Sequence, residues 1–457
     1  MNPYIQYMYS YPHKTAYRPL KGVFLKDYAH LLSGGGHGLY LHIPFCQAKC
    51  GYCNLFSVTG QGEEEMGRYL DAVERQGRQY GSILSDYDSC FSEVSVGGGT
   101  PLLLSEGQLE RMLGILETYF SCSEDRTLLI ETAPNQTCRK KLQILKQFGV
   151  TRVSMGVQSF REQELIALGR QHHARQAREA LALLKEFDFP CVNVDFIYGI
   201  LEQTVQSLLS SLKEALCFEP DEIFLYPLYL KHGAWLTRKK EEQKMPDPAF
   251  VYGQYREASA FLRDAGYRQD SMRRFVKRKS TVNGQNGSEL QRGEERRFSE
   301  CGFGTSLALG CGGRSYLGNL HFCTPYAVTG PECLRQLKQF EEMEDYSQIT
   351  HGVLLSQEEM KRRYVIRHLF IRPGLALRQY QAHFGTDARK DFRLLWDWTK
   401  EGYVRMAGTE KEEYLALTEK GLGLSDYLGP MLISGQIYGK MKEWEDIYDG
   451  KDDIIQG

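Results

Sequence analysis

A repeated alternation of short β-rich runs and amphipathic stretches begins near residue 38 and constrains the fold most strongly. The predicted strands, in chain order, are residues 38–43, 93–97, 128–132, 151–157, 192–198 and 222–228. The predicted helices between them are residues 64–84, 105–120, 137–148, 174–187 and 204–217. Strands that alternate with helices indicate βαβ units and a parallel sheet. Six units predict an α/β fold with a partial (β/α)6 barrel, whose chemistry is expected at the C-terminal strand ends.

The length of 457 residues allows several domains. The C-terminal pattern is helix, short hairpin and helix, with the hairpin at residues 403–417, which predicts a mainly helical, winged-helix-like domain. No basic recognition helix stands out there, so an accessory packing role is expected rather than DNA reading. The four predicted parts are an N-terminal arm at 1–36, the partial barrel at 37–235, an extension completing the active-site region at 236–330, and the C-terminal domain at 331–457.

Composition and net charge limit the kinds of partner and the cellular location expected for this protein. Apolar residues make up 42% and charged residues 25% of the chain, and the formal net charge is −2. This charge gives no reason to expect nucleic acid or an anionic membrane as partner. No apolar run reaches the roughly 18 residues of a membrane span, and the N-terminus lacks a secretory signal pattern. We therefore expect a cytoplasmic protein, in which clustered cysteines bind metal or do chemistry.

Three of the twelve cysteines, Cys46, Cys50 and Cys53, lie together directly after the first predicted barrel strand. Structural zinc sites of four cysteines usually come as two C-x2-C pairs, and no second pair is present. A zinc site completed by His42 and an electron carrier, which uses four cysteines per [4Fe–4S] cluster, are the alternatives. Three thiolates on one loop would leave one iron of such a cluster open to coordinate a substrate or cosubstrate.

The C-x3-C-x2-C spacing after the first strand of a partial barrel resembles the radical S-adenosylmethionine (radical SAM) superfamily. The resemblance implies a [4Fe–4S] cluster held by Cys46, Cys50 and Cys53, with S-adenosylmethionine on the open iron. It also implies reductive cleavage of S-adenosylmethionine to a 5′-deoxyadenosyl radical, which abstracts hydrogen from a small-molecule substrate. A one-electron donor such as flavodoxin or ferredoxin is then the expected partner.

Further motifs resemble one family within that superfamily. "YLHIPFC…CGYC", "GGGTP", "GVQSF", "GR", "VDFIYGI" and "YLALTEKGLGLSDYL" are similar to the oxygen-independent coproporphyrinogen III oxidases. That family also contains haem chaperones and radical methyltransferases, and the last class would use two S-adenosylmethionine molecules. The resemblance places Tyr40 near the sulfonium, and Gly99 and Thr100 against the methionyl part of the cofactor.

Four polar residues at or near predicted strand ends complete the predicted cofactor site. Glu131 can accept hydrogen bonds from an ammonium or a ribose hydroxyl, and Gln158 can both donate and accept. Arg170 could pair with the methionine carboxylate through two parallel hydrogen bonds. Asp195 lies in an otherwise apolar strand and needs a partner, which a ribose hydroxyl would supply.

The chain departs from the family pattern at two places. The true oxidases carry a further cysteine soon after the third, whereas Asn54, Leu55 and Phe56 follow Cys53 here. The haem chaperones carry an H-N-x-x-Y-W element that is missing here, and Arg314 stands where they have a histidine. The first departure counts against coproporphyrinogen oxidation and the second against haem delivery.

We therefore predict a radical SAM oxidoreductase that is coproporphyrinogen III oxidase-like and acts on a tetrapyrrole or another bulky substrate. The alternatives are a radical methyltransferase and a haem chaperone that retains the cluster. Four propionates on coproporphyrinogen would need several cations, for which the candidates are Lys14, Arg18, Arg273, Arg274 and Arg314. A tyrosine-rich arm near the substrate and a second thiol site at Cys301, Cys311 and Cys323 are further hypotheses.

Overall fold

The computed structural model describes residues 2–8, 10–230, 245–278, 304–409 and 412–455, the last eight by their backbone alone. The strands are β1 (Arg18–Pro19), β2 (Gly34–Ile43), β3 (Ser89–Gly98), β4 (Cys122–Thr132), β5 (Arg152–Gln158), β6 (Cys191–Tyr198), β7 (Glu222–Pro227), β8 (Tyr267–Gln269), β9 (Arg274–Lys277), β10 (Ser306–Leu309), β11 (Ser315–Leu317), β12 (Leu320–Phe322), β13 (His351–Leu354), β14 (Leu375–Ala376), β15 (Val404–Thr409) and β16 (Glu412–Leu417).

The α-helices are α1 (Glu63–Leu84), α2 (Glu106–Tyr119), α3 (Arg139–Gln147), α4 (Glu162–Ala167), α5 (Ala174–Phe187), α6 (Val205–Leu216), α7 (Pro248–Asp264), α8 (Gly330–Glu341), α9 (Gln357–Leu369), α10 (Leu377–Phe384), α11 (Ala388–Asp391), α12 (Leu394–Lys400), α13 (Glu419–Gly423), α14 (Ser425–Leu428) and α15 (Gly435–Ile455). Short 3₁₀ turns lie at Lys14–Ala16, Leu25–Asp27, Ala29–Leu32, Ser85–Tyr87, Pro101–Leu103, Pro134–Gln136 and Gly429–Leu432.

The chain divides into two compact units. The sheet unit comprises Arg18–Met245 and Lys277–Val353, and the C-terminal unit comprises Met1–Tyr17, Pro246–Val276 and Leu354–Gly457. The four-part division expected from the sequence stays a prediction.

Parallel strands form the core of the sheet unit. The strand order in this unit is β1-β13-β12-β11-β10-β2-β3-β4-β5-β6-β7. The pairs from β10 and β2 through to β6 and β7 are all parallel. Helices α1 to α6 lie between β2 and β7 along the chain, as βαβ crossovers require. The predicted mixed α/β fold with a parallel core is confirmed.

Local sequence explains where the crossover helices begin. Ser105 caps α2, with its N–H donating to Gln108 Oε1 at 3.2 Å. Thr204 caps α6 by accepting from Ser207 N at 3.0 Å. Such caps satisfy N–H groups that the first helical turn leaves without partners. Helices α2, α3, α4 and α6 start shortly after the preceding strand ends, whereas a longer loop joins β2 to α1. The polar residues after each strand therefore stay at one edge of the sheet.

The C-terminal unit has its own core. Tyr380, Leu395, Trp398, Leu415 and Leu428 are almost fully buried in one apolar cluster. Strands β15 and β16 form the predicted antiparallel hairpin, with Val404 opposite Leu417, and β14 pairs with β16. The winged-helix assignment stays a prediction.

The first part of the predicted N-terminal arm, up to Tyr17, belongs to the C-terminal unit, and the rest belongs to the sheet unit. Tyr11 is 1% exposed, and its hydroxyl donates to Glu359 and accepts from Ser434 N at 3.3 Å. Arg273 pairs with Asp426 and lies 3.6 Å from the centroid of the Tyr7 ring. Arg273 therefore already has a carboxylate partner inside this unit.

A buried ion pair in the sheet unit gives a test of the fold. Arg152 on β5 and Glu222 on β7 lie 2.5 Å apart and are nearly inaccessible. Glu222→Gln would leave a buried guanidinium without its ion-pair partner, so the free energy of unfolding in urea should fall by about 3 kcal/mol. The matched control is Glu186→Gln, which breaks a 2.6 Å pair with Arg139 on the surface and should not move the urea midpoint. Equal effects of the two changes would contradict this account of the core.

Candidate active site

The three clustered cysteines lie on a loop that follows β2, and all three are half-buried. Backbone hydrogen bonds fix the loop: Cys46 N donates to Val58 O at 2.9 Å, and Cys53 N donates to Cys50 O at 3.1 Å. Between them, Gly51 N donates to Leu168 O at 3.0 Å, which ties the loop to the end of α4. The thiols are therefore presented at the C-terminal edge of the parallel strands.

The "GGGTP" turn after β3 holds the start of this loop. Gly99 N donates to Ile43 O and Thr100 N donates to Phe45 O, both at 2.7 Å. A Cβ atom on Gly99 would lie 2.4 Å from Phe45 O, so only glycine allows this approach. The Cβ positions of Gly97 and Gly98 are taken by the side chains of Glu131 and His42. Gly97 and Gly98 thus leave space for these two side chains to pack against the turn.

Two predicted site residues contact the thiols directly. The hydroxyl of Thr100 lies 3.9 Å from Cys46 Sγ, and Arg170 Nη1 lies 3.2 Å from Cys50 Sγ. Arg170 Nη2 also donates to Gly156 O at 2.6 Å, while its Nε has no partner. The guanidinium is held beside the cysteine loop, and its Nε–H is still available to a ligand.

Two partly buried carboxyl groups, Glu131 on β4 and Asp195 on β6, lie on the two strands that flank β5. Glu131 accepts from Gly98 N at 3.0 Å, and burial raises its pKa. Asp195 accepts from Asn193 Nδ2 at 2.8 Å, and burial raises the pKa of Asp195 to about 7, with the negative charge of Glu131 adding to the shift. Both groups are therefore short of hydrogen-bond donors, which a ligand bearing hydroxyl or ammonium groups would supply.

Gln158 occupies a strained position at the end of β5. Its φ of 69° is left-handed, and the register of β5 against β6 shifts between Gly156 and Gln158. The side chain is 8% exposed, and its Oε1 has no hydrogen-bond partner. A non-glycine residue in this conformation carries strain that proteins tend to keep at functional sites.

Tyr40 is linked to the cysteine loop through His42. The Tyr40 hydroxyl lies 3.1 Å from His42 Nδ1, and His42 Nε2 lies 2.9 Å from Phe56 O. Because a carbonyl oxygen only accepts, Nε2 carries the proton and Nδ1 accepts from Tyr40. Tyr69 also donates to His42 O at 2.6 Å. The residues after Cys53, where the chain departs from the oxidases, thus help to hold Tyr40.

The donor set fits a [4Fe–4S] cluster. Burial and the neighbouring thiols raise the pKa of Cys46 to about 12, and burial also raises that of Cys53. In the metal-free chain, Cys46 and Cys53 therefore keep their protons until iron displaces them. Among the described residues, no three His, Cys, Asp or Glu side chains converge as ligands of a single ion. A cubane takes one thiolate per iron, so its ligands need not converge in that way.

Sequence reasoning missed several residues of this region. Asn193 is 2% exposed, donates to Ser154 Oγ at 2.7 Å and leaves its own Oδ1 without a partner. Strand alternation could have found it, because Asn193 and Asp195 are two residues apart and share a face of β6. Nothing in the sequence pointed to Ser154, because its contact with Asn193 depends on the register of β5 against β6. Glu164 was missed because its partners come from other segments of the chain. The sequence suggested that His172 is a surface or substrate-side polar group, whereas it is 2% exposed and donates to Val157 O.

The other hypotheses have different outcomes. Cys301 lies outside the described residues, and Cys311 and Cys323 are buried. Arg314 Nη1 lies 3.2 Å from Tyr316 Oη. Lys14, Arg273 and Arg274 belong to the C-terminal unit, whereas Arg18 and Arg314 belong to the sheet unit. A propionate-binding role for these cations stays a prediction. No helix in the described part of the chain has the length and apolar character to span a bilayer.

Comparisons with known proteins agree with this geometry. A profile of the Radical SAM superfamily matches residues 40–215. Oxygen-independent coproporphyrinogen III oxidase of Escherichia coli (strain K12) is 26% identical over 429 residues, which cover 91% of each chain. Heme chaperone HemW of Bacillus subtilis (strain 168) is 31% identical over 195 residues, which cover 42% of this chain and 50% of HemW. The solved structure of coproporphyrinogen III oxidase (HemN) from Escherichia coli aligns with a TM-score of 0.77 at 23% identity, covering 94% of this chain and 97% of that one.

The parallel-strand core and the three-cysteine loop are typical of the radical SAM superfamily, and the resemblance seen in the sequence is confirmed. This superfamily implies a [4Fe–4S] cluster and S-adenosylmethionine as cofactors. Within it, the chain is similar to the HemN-like proteins, which include the oxygen-independent coproporphyrinogen III oxidases and the HemW haem chaperones.

The close approach at Gly99 can be tested by adding one methyl group. Gly99→Ala should push the Phe45 backbone away and displace the cysteine loop, so iron bound per chain after anaerobic reconstitution should fall several-fold. Gly107→Ala is the matched control, since nothing lies within 4 Å of its Cβ position in α2. The control should keep full iron content and gain about 0.5–1 kcal/mol of stability. Normal iron binding by Gly99→Ala would contradict the proposed packing.

The raised pKa of Asp195 predicts a pH dependence of stability. Between about pH 4 and pH 7 the unfolded carboxyl is ionised while the folded one keeps its proton, so the contribution of Asp195 to stability falls as pH rises through this window. Asp195→Asn should therefore gain stability relative to the wild type from pH 4 to 7, with no further gain above. Urea unfolding of the metal-free chain measures this, with the exposed Asp125→Asn as control. A pH-independent difference would show that the Asp195 carboxyl titrates normally.

Proposed function

We propose that this chain is an enzyme that uses a [4Fe–4S] cluster and S-adenosylmethionine to abstract hydrogen from a bulky substrate, in the manner of coproporphyrinogen III oxidase. The observation that carries the proposal is the thiol loop itself. It supplies three cysteines, with Arg170 and Thr100 against two of the sulfurs. The fourth iron would then be free for the cofactor. When bound, the reduced cluster and S-adenosylmethionine supply a 5′-deoxyadenosyl radical.

Each predicted residue has a physical task in this proposal. Cys46, Cys50 and Cys53 would each hold one iron as thiolates. Arg170 would give the carboxylate of S-adenosylmethionine a fixed cation, because Cys50 Sγ and Gly156 O already hold its two Nη atoms. The electron donor remains a one-electron carrier such as flavodoxin or ferredoxin.

Other side chains would complete the cofactor site. Glu131 and Asp195 are acceptors short of donors, suited to ammonium and ribose hydroxyl groups. Gln158 would offer its unpartnered Oε1. Gly99 and Thr100 would border the methionyl part, and Tyr40, held by His42, would lie near the sulfonium. The number of S-adenosylmethionine molecules, one or two, stays open to measurement.

The proposed substrate is a tetrapyrrole whose propionates undergo oxidative decarboxylation, which is a step in porphyrin biosynthesis. What supports it is the extent of the similarity to the Escherichia coli oxidase, which covers 91% of both chains. What weighs against it is the segment after Cys53, which has no further cysteine.

A second candidate is a haem chaperone of the same family. Its support is the 31% identity to HemW of Bacillus subtilis, although this covers only half of HemW. Arg314 in place of the histidine of the chaperone pattern counts against it. The radical methyltransferase alternative stays a prediction.

The shared chemistry is tested by anaerobic reconstitution with iron and sulfide, followed by dithionite and S-adenosylmethionine. We expect 5′-deoxyadenosine to form, because three cysteines leave an iron open to the cofactor. Cys46→Ala, Cys50→Ala and Cys53→Ala should each abolish the product, measured by chromatography. The matched control is Cys138→Ala, an exposed cysteine outside the loop that should leave the yield unchanged. Product formation by a loop variant at the wild-type rate would refute the proposal.

The substrate is decided by two further measurements on the same protein. Release of CO₂ from coproporphyrinogen III, dependent on S-adenosylmethionine, supports the oxidase. Stoichiometric haem binding without turnover of coproporphyrinogen III favours the chaperone. If the protein does neither while still making 5′-deoxyadenosine, the substrate is another bulky molecule.

A further inference from the structure

A buried carboxyl group lies next to the predicted cofactor residues without being one of them. Glu164, on α4, is only 5% exposed and receives three side-chain hydrogen bonds. Ser159 Oγ and Ser207 Oγ each lie 2.6 Å from it, and Gln203 Nε2 lies 3.1 Å from it. Such an arrangement of donors around a buried acidic side chain holds it in one position.

The three donors come from the connections that follow two neighbouring strands. Ser159 directly follows Gln158 at the end of β5, whereas Gln203 lies in the loop after β6 and Ser207 in the first turn of α6. Gln203 in turn accepts from Gly199 N at 2.9 Å, so it also fixes the backbone where β6 ends. Glu164 therefore joins the C-terminal ends of two neighbouring strands.

The same short helix ends at the cysteine loop. Leu168, just after α4, accepts the hydrogen bond from Gly51 between Cys50 and Cys53. Two residues further on, Arg170 lies against Cys50 Sγ. A shift of α4 would therefore move both the loop and the guanidinium.

The strained Gln158 is held from the same direction. His172 donates through Nε2 to Val157 O at 3.1 Å. Burial, with the nearby positive charge of Arg170, lowers the pKa of His172 to about 3, so the ring stays neutral and can donate from only one nitrogen. Ser159, bonded to Glu164, holds the other side of Gln158. The residues on both sides of Gln158 are thus anchored to the 164–172 segment.

We propose that Glu164 is a positioning residue that sets the placement of Gln158 and Arg170 for S-adenosylmethionine. It touches no reacting atom and acts through Ser159 and α4. The inference rests on the proposed function, because Gln158 and Arg170 must bind this cofactor for their placement to matter. The proposal gives α4 a role, although none of the predicted cofactor residues lies on that helix.

The experiment compares Glu164→Gln with the wild type after reconstitution. A glutamine has one acceptor oxygen, and its amide group would face at least one of the three donors. Iron content and the urea midpoint of the metal-free chain are measured first. The reduced cluster is then titrated with S-adenosylmethionine, and the change in its electron paramagnetic resonance spectrum is followed. Gln163→Ala, an exposed change on the same helix, is the matched control.

We expect Glu164→Gln to keep its iron and to need about tenfold more S-adenosylmethionine for the half-maximal spectral change. Gln163→Ala should match the wild type. If Glu164→Gln does not fold, Ser159→Ala, which removes one donor, should shift the titration in the same direction by a smaller factor.

An unchanged titration in a folded, iron-loaded variant would overturn the proposal. So would loss of iron in parallel with the weaker titration, since that is the behaviour of a merely structural residue. A wild type that builds no cluster or shows no response to S-adenosylmethionine would instead refute the proposed function, and the positioning role with it.

Discussion

Two backbone hydrogen bonds, from Gly99 to Ile43 and from Thr100 to Phe45, join the loop after β2 to the turn after β3. The site depends on them because they set where the cysteine loop leaves the sheet. They are possible only because residue 99 has no side chain to meet Phe45 O. Once the loop starts there, Cys46 lies beside the Thr100 hydroxyl and Cys50 beside Arg170. These two backbone hydrogen bonds thus set where the loop that carries the three ligands begins.

Burial and charge determine which ligands this site favours. Partly buried carboxyls at Glu131 and Asp195 have raised pKa values, and so do Cys46 and Cys53, because burial disfavours every negative charge there. Arg170 brings a positive charge into direct contact with the Cys50 thiol. A site in which burial disfavours negative charge favours ligands that bring positive charge or hydrogen-bond donors. Iron, an ammonium group and ribose hydroxyls are ligands of that kind.

The sequence predicted the parallel core well because its signals are local. Period-two alternation, crossover helices and the C-x3-C-x2-C spacing can each be read from a short window. The residues that depend on register or on contacts between loops could not be read in that way. Ser154 faces Asn193 only because β5 and β6 pair in one register. Glu164 looks like an ordinary acidic residue of a surface helix until the loops after β5 and β6 fold onto it.

The central claim is that the three cysteines leave one iron open for S-adenosylmethionine. Electron–nuclear double resonance on the reduced, reconstituted protein tests it most directly, with ¹⁵N in the amino group and ¹⁷O in the carboxylate of S-adenosylmethionine. The account predicts hyperfine coupling of both nuclei to the cluster. A cluster with a fourth protein ligand, showing no coupling to either label, would contradict it.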